Sequence, residues 1–236
     1  MSERNSQQMN IAPIGVGFYT VPDAARLLRV PASSIRRWLG GYSYKYKNGT
    51  KQSAPLWVPD LLNCDNELEL SFRDLIELRF VNGFVVAGIG LLTIRHCLDY
   101  ARDLVSDQRP FSTQRFQTDG RTIFLDSVQN NGESELLDLK KRQYAIKEAI
   151  ERTFKDLDIE DNAVARWRPF KGKDSIVIDP RRAFGQPIAA AYGVPTIALA
   201  DAVKAEGSID RVARLYEVSI SVVKDAVNFE KTLLAA

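Results

Sequence analysis

Ser33, Ser34, Arg36 and Arg37 place two short hydroxyls just ahead of two guanidiniums in one stretch of chain. A serine hydroxyl donates and accepts over a short reach. The planar fork of an arginine grips a phosphate, or the major-groove edge of guanine, through two parallel hydrogen bonds. Close behind come Tyr42, Lys45, Lys47 and Lys51, alternating aromatic and basic residues. Ammonium groups neutralise backbone phosphates, and a phenol donates to them or packs on sugar. Together these groups have the chemistry of gripping a polyanion, DNA above all. The plainer alternatives are a solvated arginine pair on a surface helix and a hairpin whose lysines only solubilise it.

For those side chains to act together, the backbone around them must present them on one side. Thr20 is placed to cap a helix, with Asp23 three residues on closing a capping box, and Pro22 is tolerated in the first turn. Ala24, Leu27 and Leu28 recur at helical spacing, and Arg29-Val30-Pro31 breaks the run. A second helix begins near Ala32, turning Ile35 and Trp38 inward and Ser33, Ser34, Arg36 and Arg37 outward. Two short helices across a tight turn predict a helix-turn-helix. Tyr42 to Lys51, with its Asn48-Gly49 pair, predicts a β-hairpin directly after it, the place of a wing. Ser71 then caps a helix over residues 72–80, and Leu91 to Val105 forms another whose stripe is Leu91, Ile94, Leu98, Ala101 and Val105. Residues 1–108 are thus expected to form a winged helix-turn-helix unit.

The remaining chain predicts a different texture. Arg115 to Leu125, with Asp119-Gly120 between two alternating runs, reads as a β-hairpin. Ser134 caps an amphipathic helix, Glu135 to Phe154, whose stripe of Leu136, Leu139, Ile146, Ile150 and Phe154 could zip two subunits together. Leu157 to Asn162 reads as an acidic connector, closing a middle segment of residues 109–162. Residues 163–236 begin with a strand at Ser175 to Asp179 and end in three helices, near Pro195 to Ala205, Ser208 to Tyr216 and Ser219 to Leu233. Ile209 to Phe229 again has helix-turn-helix spacing. Its outward residues, read as Ser221, Lys224, Asp225, Asn228 and Glu230, carry no net positive charge, so this unit is expected to dock or dimerise. The fold class is α+β, mainly helical.

Composition fits this division. The chain has 236 residues, 45% apolar and 26% charged, with a net charge of only +2. Residues 1–60 hold eight Lys or Arg against three Asp or Glu, whereas residues 132–161 hold six against nine. A basic end beside a mildly acidic middle is the asymmetry of a DNA-binding module joined to something else. No apolar run approaches a membrane span and the polar start lacks the core of a signal peptide, so a cytoplasmic protein is expected. Cys64, Cys97 and His96 are too few and too scattered for a metal site. No nucleophile with a base and no phosphate loop appears, so neither a cofactor nor an enzyme is expected.

Several of these residues also carry a family resemblance. Tyr19-Thr20, Val30, Ser34-Ile35-Arg36, Ser71 to Leu75 and Gly90 to Arg95 resemble the DNA-binding head of MerR-type regulators. Ile178-Asp179-Pro180, Gly185-Gln186-Pro187, Val194-Pro195-Thr196, Gly207 to Asp210 and Tyr216 to Ser219 resemble the domain of unknown function 433. The two in this order are similar to the longer VapB-type antitoxins of bacterial toxin–antitoxin pairs. The resemblance implies a PIN-type ribonuclease toxin as partner, operator DNA bound as repressor, and a homodimer or larger assembly. An inhibitor of such a nuclease can place arginines among its metal-binding carboxylates, and Arg166, Arg181 and Arg182 are the candidates. The alternative is a stand-alone MerR-like transcription regulator whose C-terminal domain only dimerises.

Overall fold

The computed structural model describes residues 15–46, 49–61, 67–130 and 139–234. Lys47, Asn48, Cys64, Ser134 and Leu136 lie outside them, as do the first residues expected of the 135–154 helix.

Strand β1 (Tyr19–Thr20) leads into α1 (Val21–Leu28), where Thr20 and Asp23 form the reciprocal capping box. Arg29 closes α1 in a left-handed conformation, φ 56°, and α2 follows at Ala32–Gly40. β2 (Tyr42–Tyr46) and β3 (Gly49–Ser53) form an antiparallel hairpin. β4 (Glu69–Leu70) pairs with β1, and Ser71 caps α3 (Phe72–Val86) with Asp74 as reciprocating residue. α3 continues through Gly83, where the absent side chain leaves room for the Thr153 hydroxyl, 3.1 Å from the Cβ position. α4 occupies Leu91–Val105, with Cys97 fully buried and its thiol pKa pushed upward by that burial.

The hairpin expected at Arg115 to Leu125 is instead part of a helix, α5 (Gln114–Asn130). Thr113 begins it by accepting the Phe116 amide at 3.2 Å, and Phe116, Ile123, Phe124 and Val128 are buried at helical spacing. The Asp119-Gly120 pair misleads because glycine costs a helix only about 1 kcal/mol. Here its missing side chain leaves room for the Phe116 ring, 3.1 Å from the Cβ position. α6 (Leu139–Phe154) turns Ile146, Ile150 and Phe154 into the chain's own core rather than toward a second subunit. Phe80 on α3 is its centre, with the rings of Phe154 at 4.7 Å, Phe116 at 5.9 Å and Phe111 at 6.0 Å.

The stretch expected as an acidic connector is a strand. β5 (Leu157–Glu160) pairs antiparallel with β6 (Ala163–Trp167). The turn between them, Asp161-Asn162, has φ of 49° and 65°, the doubly left-handed geometry that Asp and Asn tolerate in two-residue hairpins. β7 (Ile176–Ile178) and β8 (Pro187–Ala189) complete a four-stranded antiparallel sheet in the order β5-β6-β7-β8. α7 (Thr196–Glu206), α8 (Ile209–Leu215) and α9 (Ile220–Leu234) end the described chain, with Gly207 closing α7 and Ser208 capping α8. Glu230, expected on the outside of α9, is buried, and Asp225 is bound by Lys173 and Ser175. The fold is therefore α+β and mainly helical.

One apolar core runs from Tyr19 and Ile35 through Phe80 and Phe124 to Phe229 and Leu233, beside a smaller cluster around Leu199, Val212 and Val223. Segments far apart in the sequence meet in it. Phe18 donates its amide to the Phe184 carbonyl at 3.0 Å, and the buried Tyr19 hydroxyl donates to the Gly185 carbonyl at 2.8 Å.

Candidate nucleic-acid interface

α2 is an amphipathic helix of nine residues, and its inward side, Ile35, Trp38 and Leu39, is buried on the core. The opposite side presents Ser33, Arg36 and Arg37 to solvent and leaves Ser34 half-buried. The chain then turns at Gly41, φ 74°, where the Ser53 carbonyl stands 2.5 Å from the Cβ position. Only a glycine fits that corner. It brings the hairpin back beside the helix end, and the Leu56 amide donates to the Trp38 carbonyl at 2.8 Å.

Arg37 and Tyr42 meet across this corner, the guanidinium 3.8 Å from the ring centroid. A hydrogen bond from Arg37 holds the Tyr42 hydroxyl below the usual phenol pKa, and Ser53 and the charges of Arg37 and Arg95 act in the same direction. A cation stacked on a phenol ring keeps its outer edge for an anion. In the hairpin register Tyr44 faces Lys51 and Lys45 faces Thr50. Cross-strand partners share a face and neighbours alternate. Lys51 therefore stands on the Tyr44 side and Lys45 on the other, so these two lysines do not form a single row. Arg36, Arg37, Lys45 and Lys51 nevertheless gather within one helix end and its hairpin.

Residues far along the sequence hold this corner in place. Arg95 on α4 donates to the Pro55 carbonyl at 2.7 Å and the Ala54 carbonyl at 2.6 Å, and Arg102 donates to the Leu56 carbonyl at 3.0 Å. Asp74, buried on α3, accepts from Trp57 Nε1 and from Arg109 Nε, both at 2.8 Å, and from the Asp60 amide at 3.0 Å. Arg109 also pairs with Asp60 at 2.7 Å. A buried carboxylate with this many donors fixes its surroundings rigidly. Arg95 and Arg102 lie off the apolar stripe of α4, and nothing local in the sequence names their distant acceptors.

The three other candidate arginines lie on the sheet side of the molecule. Arg166 Nη2 pairs with Glu160 Oε1 at 2.8 Å and Arg181 Nη2 with Glu160 Oε2 at 3.0 Å, so Glu160 is clasped by both. Arg166 and Arg181 also reach Asp158 and Asp179. Arg182 is turned elsewhere, donating to the Ala190 carbonyl at 3.0 Å. Glu160 and Asp158 become visible as partners only once Leu157 to Glu160 is known to be a strand. Among the described residues no group of three His, Cys, Asp or Glu could hold a metal ion, and no helix is long and apolar enough to cross a membrane.

No protein-family model matches the chain. It is similar to a Mycobacterium tuberculosis protein named "Putative antitoxin VapB45", 27% identical over 226 residues, which span 90% of this chain and 93% of that protein. It also shares the fold of the crystal structure of Rv2018 from Mycobacterium tuberculosis, with a TM-score of 0.66 and 22% identity over 91% of this chain and 98% of that one.

Proposed function

We propose that the chain is a non-enzymatic VapB-type antitoxin that silences a PIN-type ribonuclease and represses its own operator. The observation that carries the antitoxin role is the likeness to VapB45, which runs through nearly the whole length of both proteins. A likeness confined to the DNA-binding head would have left the tail, and with it any toxin partner, without support.

For operator binding the support is the exposed pair Arg36 and Arg37 on α2 and the lysine-bearing hairpin that follows it. In this reading α1 and α2 are the helix-turn-helix of a MerR-like head and the β2-β3 hairpin is its wing. α2 enters the major groove with Ser33 and Ser34 near its start. Arg36 reads base edges or grips phosphate, while Arg37, stacked on Tyr42, is preorganised for a phosphate. Lys45, Lys47 and Lys51 neutralise phosphates along the groove walls. Binding is as a dimer, two heads reading two half-sites, in the cytoplasm.

For the toxin, Arg166, Arg181 and Arg182 remain the proposed contacts. Glu160 and Asp179 hold Arg166 and Arg181 in place, so they approach a nuclease as a preformed ladder rather than as free side chains. Co-expression with the product of the adjoining gene tests the reading. A small nuclease is expected to co-purify, and its RNA cleavage to appear only when it is separated from this chain. If nothing is retained while the chain still shifts its own promoter DNA, the protein is a stand-alone regulator.

A further inference from the structure

Between α1 and the C-terminal helices lies a cavity of about 570 Å³, within the size of sites that take small organic groups. β1 and α1 supply one wall, and the turn before β8 together with α7 and α9 supplies the other. The Phe18 and Tyr19 hydrogen bonds to Phe184 and Gly185 hold the walls together. Ala183 and Phe184 are both left-handed, at φ 46° and 53°. Non-glycine residues stay in that region only where their surroundings over-determine them, a condition that clusters at ligand clamps. The Phe184 ring stands 69% exposed at the rim, beside Phe18 and Ile197.

The polar groups of the cavity are few and unevenly paired. Asp23 is committed to the Thr20 cap and lies 3.8 Å from Arg26, which also lines the cavity, so these two charges offset each other. Glu230 is different: it is only 6% exposed, and Thr196, whose hydroxyl donates to Oε1 at 2.5 Å, is its one polar partner among the described residues. A buried carboxylate without a cation is costly, and the cost is relieved when one arrives. Aromatic faces at the mouth favour the same charge.

We propose that this cavity binds an organic cation, an ammonium or guanidinium on an apolar stem, with Glu230 as its counter-ion. The chemistry has two sources. One is a lysine or arginine side chain of the proposed nuclease partner, and that source rests on the antitoxin reading. The other is a free amine, which does not. In either case the cation bridges α1 to α7 and α9, so its occupancy is felt by the helix that supports α2.

Calorimetry on the full chain with agmatine and n-pentylamine, and with 1-pentanol as the neutral counterpart, tests the proposal. Saturable binding of both cations is expected, with none for the alcohol, and Glu230→Gln is expected to weaken it by about tenfold or more. Ile197→Trp, which fills the mouth from the surface, is expected to abolish binding and serves if the first variant does not fold. No saturable binding of either cation, or equal affinity in wild type and Glu230→Gln, overturns the proposal. Competition distinguishes the sources. Displacement of a co-purified partner by n-pentylamine assigns the cavity to that partner's basic side chain, and retention under saturating amine assigns it to a free ligand. If no partner is ever retained, the antitoxin reading fails while the amine measurements still decide the site.

Discussion

The Arg37 guanidinium lies over the Tyr42 ring, 3.8 Å from its centroid, clasping the last turn of α2 to the first residue of β2 across Gly41. This contact couples a proposed DNA-gripping cation to a titratable neighbour. Arg37→Ala is expected to raise the Tyr42 pKa toward the ordinary phenol value, followed by NMR of ring-labelled tyrosine with Tyr42→Phe to identify the signal. Arg36→Ala leaves that titration unmoved. Both variants are expected to weaken binding to the chain's own promoter, by about 1–3 kcal/mol each. Unchanged affinity and unchanged salt slope in both would remove α2 from the interface.

Gly41→Ala forces a side chain into the space of the Ser53 carbonyl at a left-handed φ of 74°. A loss of about 1–3 kcal/mol in stability is expected. The hairpin is displaced from α2, so promoter affinity falls further than the small change in fraction folded accounts for. Chemical denaturation and gel shift on the same preparation separate the two effects.

Glu77 gives the fold a pH dependence. It is buried on α3 with Oε1 accepting the Ser112 amide at 2.8 Å, and burial pushes its carboxyl up to about 8. The folded state therefore holds a proton that the unfolded chain gives up from an ordinary carboxylate pKa of about 4.5 upward. The native state binds more protons across that window, so the contribution of Glu77 to stability falls as pH rises from about 4.5 to about 8 and is flat beyond. Glu77→Gln is expected to abolish this slope, of about 1 kcal/mol per pH unit. Urea melts at several pH values check it; parallel curves for the two proteins would mean that Glu77 does not titrate in that window.

Tyr19→Phe removes the hydroxyl that the Gly185 carbonyl accepts in the core. The carbonyl is then left unpaired, and a loss of about 1–3 kcal/mol is expected. Gly185→Ala is more severe, because its Cβ would stand 2.2 Å from the Tyr19 oxygen. Thermal unfolding of the two variants gives the order.

Much of the helical part was legible in the residues. The Thr20–Asp23 box, the Leu91–Val105 stripe and the Gly207–Ser208 boundary are local signals, set by capping chemistry and apolar period. Where local chemistry pointed one way and packing another, packing prevailed. Asp119-Gly120 has the form of a turn, yet the Phe116, Ile123 and Phe124 side chains are buried together only if the segment is helical. Leu157 to Glu160 looks like a connector because its acids have no visible partners until Arg166, Arg168 and Arg181 are brought beside them. Around α2 the outward arginines could be read from helical spacing. The opposite facing of Lys45 and Lys51 depends on hairpin register, and the anchorage by Arg95 and Asp74 on tertiary geometry.

The hydrogen bond from Tyr19 to Gly185 spans 166 positions of the chain, and that separation has a bearing on synthesis. A ribosome delivers α1 and α2 long before the segment that closes over Tyr19 has left the exit tunnel. The head thus waits for the tail, and a product cut short by stalled translation or proteolysis lacks the contact that completes it. Integrity of the polypeptide through Gly185 becomes a condition on how β1 and the helices that follow it pack.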